Sequence, residues 1–558
     1  MSLKYPINIE LHQHVDRVVI KAACQATILN IEELKVLLKQ FAETFKNMID
    51  HPYSNTLDGL PLLNGNSETE LSRSATPDSQ LTDMVVFDQL DPRVSLFFRI
   101  LAESTKVPLS AIKPNASLLS LGIDSITAIQ ISSKARKAGI PIHAVDILRS
   151  ERAKDVFDTF AANEEHKIAQ AYVHTSSSFT APGTRDTILH QIKVDKGAIE
   201  DIYPASPGMR WLIGMWQLSR HLQFQHAFAF GLPSDIDEAK LKSALSALVN
   251  HHAILRSAFA FVDEKDVRII TFKELPEERL WSVRTINGGK PTDEILEKFM
   301  KDLVSSPLST SIPPFQAIFL RCNGSVFFVI HLHHFQYDAW SMDLLIRDLE
   351  RFYHGEKPIN SSRLSHFLTS VDSARKSTEQ MHYWQAYLAA PFQPSLLPKL
   401  VSSQRGGRQV ITNYRALQDV VYLREQARAK SLSLNAVFLG CWARVQAEAS
   451  AAGQATFGLW QLGRSWDIDD VDILAVPCMN VLPIHVTDTT LSLEVLCDVL
   501  QSTLRQRSPI VEQSYLDDIS QWVGYERTMC NVFVNIIIGS SRSDGLLKPI
   551  NVSCTKEL

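Results

Sequence analysis

The chain has no cationic surplus, no paired cysteines and no long apolar run, and each absence removes a class of function. Fifty-six Lys and Arg against 61 Asp and Glu give a formal net charge of −5 over 558 residues. Both signs are mixed along the chain, so nothing forms the basic stripe that nucleic acid or an anionic membrane would need. Seven cysteines (24, 322, 441, 478, 497, 530 and 554) are scattered, odd in number and never spaced Cys-x-x-Cys, which signals neither a disulfide framework nor a zinc site. No uninterrupted apolar stretch is long enough to span a bilayer, and Met1-Ser2-Leu3-Lys4-Tyr5-Pro6 lacks the apolar core of a secretory signal. Without such a signal, the closing Thr555-Lys556-Glu557-Leu558 is not a retrieval address. These absences predict a cytoplasmic protein with no nucleic-acid partner, no membrane partner and no metal.

What is present is ample core-forming material. A hydrophobic content of 45% over this length predicts several packed domains. Residues 52–82 are rich in Ser, Asn, Thr, Gly and Pro, as in Asn64-Gly65-Asn66-Ser67-Glu68-Thr69, and read as a linker. A second weak stretch from Ser176 to Thr184 lies within a linker assigned to 166–195. The segment before them, 1–51, combines strand-like runs (Tyr5 to Leu11, Val18 to Ala23) with a helix from Ile31 to Ile49. In that helix Leu34, Leu37, Leu38, Phe41, Phe45 and Met48 recur at helical spacing. Fifty residues cannot easily bury that face alone. Residues 83–165 are short and helical. From 196 to 558 helices alternate with β-rich runs such as Ser325 to His333 and Met529 to Gly539, a two-layer α/β pattern.

Two short strings carry chemistry. The first is Leu121-Gly122-Ile123-Asp124-Ser125. Before it, Asp91 can cap a helix that starts at Pro92 and runs to about Val107. After it, Ile126, Ile129 and Ile131 give a second helix an apolar side, Lys134, Arg136 and Lys137 suit its C-terminal dipole, and Gly139 is a plausible left-handed stop. Ser125 is thereby placed at a helix N-terminus, where backbone N–H groups favour an incoming phosphodiester. Nothing nearby activates the hydroxyl, so a separate transferase is needed. The bland alternative is that Asp124-Ser125 is only a helix cap.

The second string is His333-His334-Phe335-Gln336-Tyr337-Asp338-Ala339-Trp340-Ser341. Period-two alternation along Val326 to His334 puts Phe328, Ile330, Leu332 and His334 on one face, and His333 with His331 on the other. His334 thus extends an apolar row into a turn, while His333 is assigned a structural part. Ser341 can cap the helix that follows, which Leu344, Leu345, Leu349 and Phe352 bury on one side. Adjacent histidines can also be a metal pair, but no third ligand stands at a sensible spacing.

Leu-Gly-x-Asp-Ser resembles the phosphopantetheine attachment loop of carrier (thiolation) domains, and His-His-x-x-x-Asp resembles the active-site motif of condensation domains in nonribosomal peptide synthetases. Further partial matches follow in that family's order. They are Tyr203-Pro204-Ala205-Ser206-Pro207, His251 to Phe259, His382-Tyr383-Trp384, Gly463-Arg464-Ser465, and Pro477-Cys478-Met479-Asn480-Val481-Leu482-Pro483. Met209, His251 and His485 depart from the pattern. Ala339 with Trp340 and Ser341 is similar to fungal siderophore synthetases of the ferrichrome type.

The resemblance implies a small four-helix carrier bundle followed by an α/β condensation domain of two chloramphenicol-acetyltransferase-like lobes. It implies 4′-phosphopantetheine on Ser125 and amide formation between carrier-bound aminoacyl or peptidyl thioesters. His334 would be a general base or an orienting group for the amine, beside His333, and Asp338 would be held by an ion pair for which Arg256 is the expected partner. Partners would be a phosphopantetheinyl transferase and upstream and downstream synthetase modules. No adenylation motif appears, so the chain is not expected to activate amino acids itself. Residues 1–51 resemble the closing segment of a preceding condensation domain, and 196–558 one that is C-terminally incomplete; the orphan tail is expected to dock on the lobe beyond about residue 400. Two rival functions are a carrier and docking module with a degenerate condensation fold, and a coenzyme A-dependent acyltransferase.

Overall fold

The computed structural model describes residues 7–50, 92–157 and 186–550, apart from short stretches within them, of which 390–409 is the longest. The linker at 52–82, most of that at 166–195, and the capping Asp91 lie outside the described residues, as do Asp124 and the side chain of Ser125.

The carrier segment is helical. Its helices are α2 (Pro92–Thr105), α3 (Ser125–Lys137) and α4 (Ala144–Arg149), with a further helical turn at 155–157. Phe97, Phe98, Leu101, Ile129, Ile131, Ile140 and Ile147 close one core. Gly139 ends the α3 turn at φ +80°, the left-handed stop that its position implies.

The α/β part divides into two lobes. In the first, β4 (Gln225–Leu232), β7 (Ser282–Ile286), β8 (Phe315–Cys322), β9 (Ser325–His333) and β14 (Lys548–Pro549) form a five-stranded sheet in the order β14-β4-β9-β8-β7. A three-stranded sheet of β3 (Ile199–Pro204), β6 (Val267–Phe272) and β5 (Ser257–Phe261) accompanies it. Helices Glu238–His251 and Ala339–Tyr353 pack on the first lobe's core through Leu241, Leu245, Leu344 and Leu349.

The second lobe is built on one six-stranded sheet. Its strands are β1 (Ile7–Gln13), β2 (Arg17–Gln25), β10 (Val410–Gln418), β11 (Ala455–Gln461), β12 (Asn480–Val486) and β13 (Val532–Ile538), in the order β10-β2-β1-β13-β11-β12. The first two strands of the chain thus occupy interior positions: β1 runs parallel to β13, Ile7 opposite Val532, and β2 runs antiparallel to β10, Cys24 opposite Ile411. Helix α1 (Ile31–Asp50) covers the same sheet. Phe45 stacks on Phe438 with ring centroids 4.3 Å apart, and Phe41 meets Trp442 edge-on at 5.6 Å. The apolar face that fifty residues could not bury alone is therefore buried against the helix Leu434–Ser450. Polar closure accompanies it: Glu10 accepts from Lys21 and His12, both at 2.9 Å, and Glu10 and Lys21 are directly opposite across β1 and β2.

The lobes meet where backbone comes very close to backbone. A Cβ on Gly208 would lie 1.8 Å from the Met479 carbonyl oxygen, and one on Gly463, at φ +63°, 1.9 Å from that of Cys478. Only glycine fits at either place. Tyr515 donates to the Ala205 carbonyl at 2.6 Å, adding a hydrogen bond across the junction.

Phe45→Ala should destabilise the second lobe by about 3–5 kcal/mol, the cost of a large cavity in a closed core. Hydrogen exchange should then accelerate in β10 and β13 while the first lobe keeps its protection. Unchanged exchange in β13 would show that α1 contributes nothing there.

Candidate active site

Strand β9 ends at His333, and the chain turns at once into a 3-10 helix, His334–Gln336. His334 is therefore not the next residue of an alternating row; its orientation is set by the turn. Its amide donates to the Phe224 carbonyl at 2.7 Å. The Nδ1 atom lies 2.8 Å from the Tyr337 carbonyl oxygen. A carbonyl only accepts, so in the neutral ring Nδ1 carries the proton and Nε2 keeps the lone pair. The ring also stacks on the Tyr337 phenol, centroids 4.6 Å apart, and is half-buried. One imidazole is thus fixed in tautomer and plane with its basic nitrogen on the side away from the turn.

His333 does something else. It is buried, its Nδ1 accepts from the Phe335 amide at 3.1 Å, and Trp216, Phe259 and Phe335 surround the ring. Burial, then the neighbouring His334, pushes its pKa well below 6.5, so it is a neutral cap for the turn. His226 of β4, which sequence reasoning passed over, sits 5.2 Å from the His334 ring, and its Nδ1 hydrogen-bonds the Tyr337 hydroxyl. Burial holds it neutral too. Nothing local to His226 announces this; only the pairing of β4 with β9, His226 opposite Leu332, brings it in.

Asp338 is the N-cap of helix Ala339–Tyr353: Oδ1 accepts from the Ser341 amide at 2.6 Å, and the Ser341 hydroxyl accepts from the Asp338 amide at 2.8 Å. The cap is Asp338, with Ser341 completing the box from the third helical position. Oδ2 accepts from the Cys478 amide at 2.9 Å, which ties the turn to the second lobe.

The ion-pair expectation for Arg256 needs correction. Arg256 pairs with Glu200 and donates to the Phe272 carbonyl, bracing the three-stranded sheet. The cation beside Asp338 is Arg464, fully buried, 3.4 Å from Oδ1. At that distance the direct bond is weak. Arg464 is held chiefly by the carbonyls of Val471, Leu474 and Val476 at 2.7, 2.8 and 2.9 Å, and Asp338 supplies the balancing charge. Arg464 belongs to a motif visible in the sequence, but its partner lies 126 residues away.

A cavity of about 140 Å³ lies between the carrier and the second lobe. Ile123 and Ile129 line it from the carrier, and Leu459, Gln461, Arg507 and Glu512 from the other side. Arg507 is buried, and its Nη1 has no protein partner; the same holds for Gln461 Oε1. Burial pushes the Glu512 carboxyl up, with the Ser465 hydroxyl bonded to it. His251, His252 and Asp348 also cluster, but the close contact there is His252 Nε2 to Asp348 at 2.9 Å, a clamp between two helices.

Residues 199–507 match the model for the condensation domain, and residues 96–158 match that for the phosphopantetheine attachment site. The chain belongs to the condensation-domain family. Similar curated proteins include nonribosomal peptide synthetase NPS2 of Ceriporiopsis subvermispora, 35% identical over 570 residues, and coprinoferrin synthetase of Coprinopsis cinerea, 33% identical over 569. Each alignment covers 99% of this chain and 23% of the relative, so the chain spans about a quarter of their length. Siderophore peptide synthetase fer3 of Mycosarcoma maydis is 26% identical over 515 residues, 87% of this chain and 10% of that protein. Among solved structures, the starter condensation domain of the rhizomide synthetase RzmA is 15% identical at a TM-score of 0.46, over 61% of this chain and 80% of that one.

The fold class expected from sequence, a helical carrier with an α/β condensation domain, is the one found. The attachment-site match implies 4′-phosphopantetheine carried covalently on a serine. The structure accommodates such a group. Ser125 opens α3, and Gly122 before it takes φ +76°. The adjoining cavity has an unpartnered guanidinium N–H and an unpartnered amide oxygen, which suit the acceptors and donors of a pantetheine arm with its two amides.

Asp338→Ala should cost about 3–5 kcal/mol in the stability of the lobe junction, because Arg464 is left buried without its counter-charge. Urea unfolding of the variant checks it, with Arg464→Met in the same background recovering much of the loss.

A second expectation concerns acid. His331 on β9 is buried, neither ring nitrogen has a protein partner, and burial followed by the nearby Arg279 pushes its pKa down to about 4. The folded-state value is below the ordinary 6.5. Stability from the neutral ring is thus full above 6.5 and is lost as pH falls from about 6.5 toward about 4, by about 1.4 kcal/mol per pH unit for each such group. His226 and His333 act in the same direction. His331→Leu should flatten the acid-side fall in urea midpoint between about pH 7 and 5 by one histidine's share; an identical slope would remove His331 from the set.

Proposed function

We propose that this chain is part of a nonribosomal peptide synthetase, in which Ser125 carries an acyl or peptidyl thioester on phosphopantetheine and the condensation domain forms amide bonds between carrier-bound donor and acceptor. The observation that supports it most is the fixed tautomer of His334. With Nδ1–H engaged by the Tyr337 carbonyl, Nε2 is the atom available to an amine.

Bound phosphopantetheine supplies a thiol that holds the acyl group as a thioester on a long arm. In the reaction a C–N bond forms and the C–S bond breaks, and the proton lost by the amine ends on the departing sulfur. His334 Nε2 accepts a hydrogen bond from the amine, which orients its lone pair at the carbonyl, and is placed to take the proton as charge develops on nitrogen. Holding the proton on Nδ1 is the task of the Tyr337 carbonyl. Positioning that carbonyl is the task of Asp338 and Arg464, so Asp338 acts on geometry rather than on the proton. His333 and His226, neutral and buried, place no competing charge beside His334.

The siderophore synthetases among the relatives support assignment to siderophore biosynthesis. Partners in this reading are a phosphopantetheinyl transferase and the neighbouring modules, and the compartment is the cytoplasm. No helix among the described residues is long and apolar enough to cross a membrane. Residues 1–51 read as the closing segment of a preceding condensation domain, supported by the pairing of β1 and β2 within the second-lobe sheet.

Intact mass after incubation with a phosphopantetheinyl transferase and coenzyme A should rise by one phosphopantetheine in the parent and not in Ser125→Ala. His334→Ala should load normally yet form amide at least about a hundredfold more slowly with purified loaded partners, the lower range for loss of a general base. Near-parent rates in His334→Ala would end the catalytic assignment, and loading that persists in Ser125→Ala would end the carrier assignment.

A further inference from the structure

The carrier core does not stop at the carrier. Trp340 and Leu462 of the condensation domain pack against it. Trp340 stands two residues after Asp338 on the same helix, and its indole N–H donates to the Asp472 carbonyl at 2.8 Å. The Asp472 carboxylate is itself buried, and Arg136 of α3 pairs with it.

Asp472 lies in the segment that Arg464 gathers by the carbonyls of Val471, Leu474 and Val476, and that ends at Cys478, whose amide binds Asp338. One face of this segment therefore meets the carrier and the other holds the active turn. The same helix that bears Arg136 near its end begins at Ser125, about 16 Å away at about 1.5 Å per residue. Near its start, Gly122 lies against Arg428, whose Nε would be 2.6 Å from a Cβ there, and Arg428 also donates to the Thr105 carbonyl at 2.9 Å. Arg505 adds bonds to the Leu148 and Ser150 carbonyls at 3.0 and 2.6 Å. Bonds to main-chain carbonyls read shape and would accept many helical bundles. A partly buried pair between two side chains of opposite charge discriminates, because a wrong residue leaves the buried Asp472 charge unpaired.

We propose that Asp472 and Trp340 form the recognition seat for the chain's own carrier, and that Arg136 is the carrier residue they select, aiming the Ser125 end of α3 at the cavity between the carrier and the second lobe. This rests on the amide-forming reading above. The seat is made of two residues that Asp338 and Arg464 already tie to the catalytic turn, so carrier choice and active-site geometry share one scaffold.

The test uses the full chain, loaded on Ser125 and normalised by intact mass, in four forms: parent, Arg136→Asp, Asp472→Arg and the double exchange. Amide formation is measured with the donor on the chain's own carrier and, separately, with a soluble N-acetylcysteamine thioester. Each single variant should lose at least about tenfold more activity with the carrier-bound donor than with the soluble one, and the double exchange should recover most of it. Spin labels at Lys113→Cys and Asp498→Cys, both exposed, with Cys554 replaced by Ser, should give one narrow distance in the parent, a broad distribution in each single variant and a narrower one in the double. Equal losses with the two donors, or a double exchange as impaired and as broad as the singles, would overturn the proposal. A parent that forms no amide from either donor would instead count against the functional reading, and the distance distributions alone would then decide the seat.

Discussion

The buried Arg464 ties the two lobes together at the His334 turn, beside the Tyr515–Ala205 hydrogen bond and the Arg210–Asp517 pair. Arg464 is fully enclosed and spends its guanidinium on three carbonyls of one segment and on the carboxylate of Asp338 from the other lobe. An isolated charge in that position would be very costly, so the segment and the Asp338 cap stabilise one another. Glycines at 208 and 463 let the backbones approach closely enough for this geometry. The His334 turn inherits its rigidity from the same pair, through the Asp338 cap and the Cys478 amide.

Around His334 the protein uses dryness as well as hydrogen bonds. Three neighbouring imidazoles, His226, His331 and His333, are kept uncharged by burial. Their neutrality comes at the expense of stability in acid.

Much of this was legible in the chain itself, and the limits have a physical pattern. The strand Ser325–His333, α1 and α3 follow from period-two and helical spacing, and the structure places them within a residue or two of the expected bounds. The turn at His334 was not, because alternation says nothing about where a strand stops. Ser341 looked like a cap because Ser commonly is one, yet Asp338 was three residues closer to the helix start. Motif company alone points to Arg256 as the partner of Asp338; the cation beside it, Arg464, is set by how two lobes close, which no local pattern encodes. His226 was silent for the same reason.

The interior position of β1 and β2 has a consequence for how the molecule comes into being. Ile7 must find Val532, and Cys24 must find Ile411. At about 5–20 residues per second, β1 waits roughly half a minute to two minutes after its synthesis before its parallel neighbour exists. The entropic toll of so long a loop grows only logarithmically, so thermodynamics tolerates the arrangement. Kinetics is less forgiving. Until β13 is made, β1 lacks its parallel neighbour, and an unpaired strand edge is an invitation to aggregate. The second-lobe sheet therefore cannot close until β13 has been made, however early its first strands are ready.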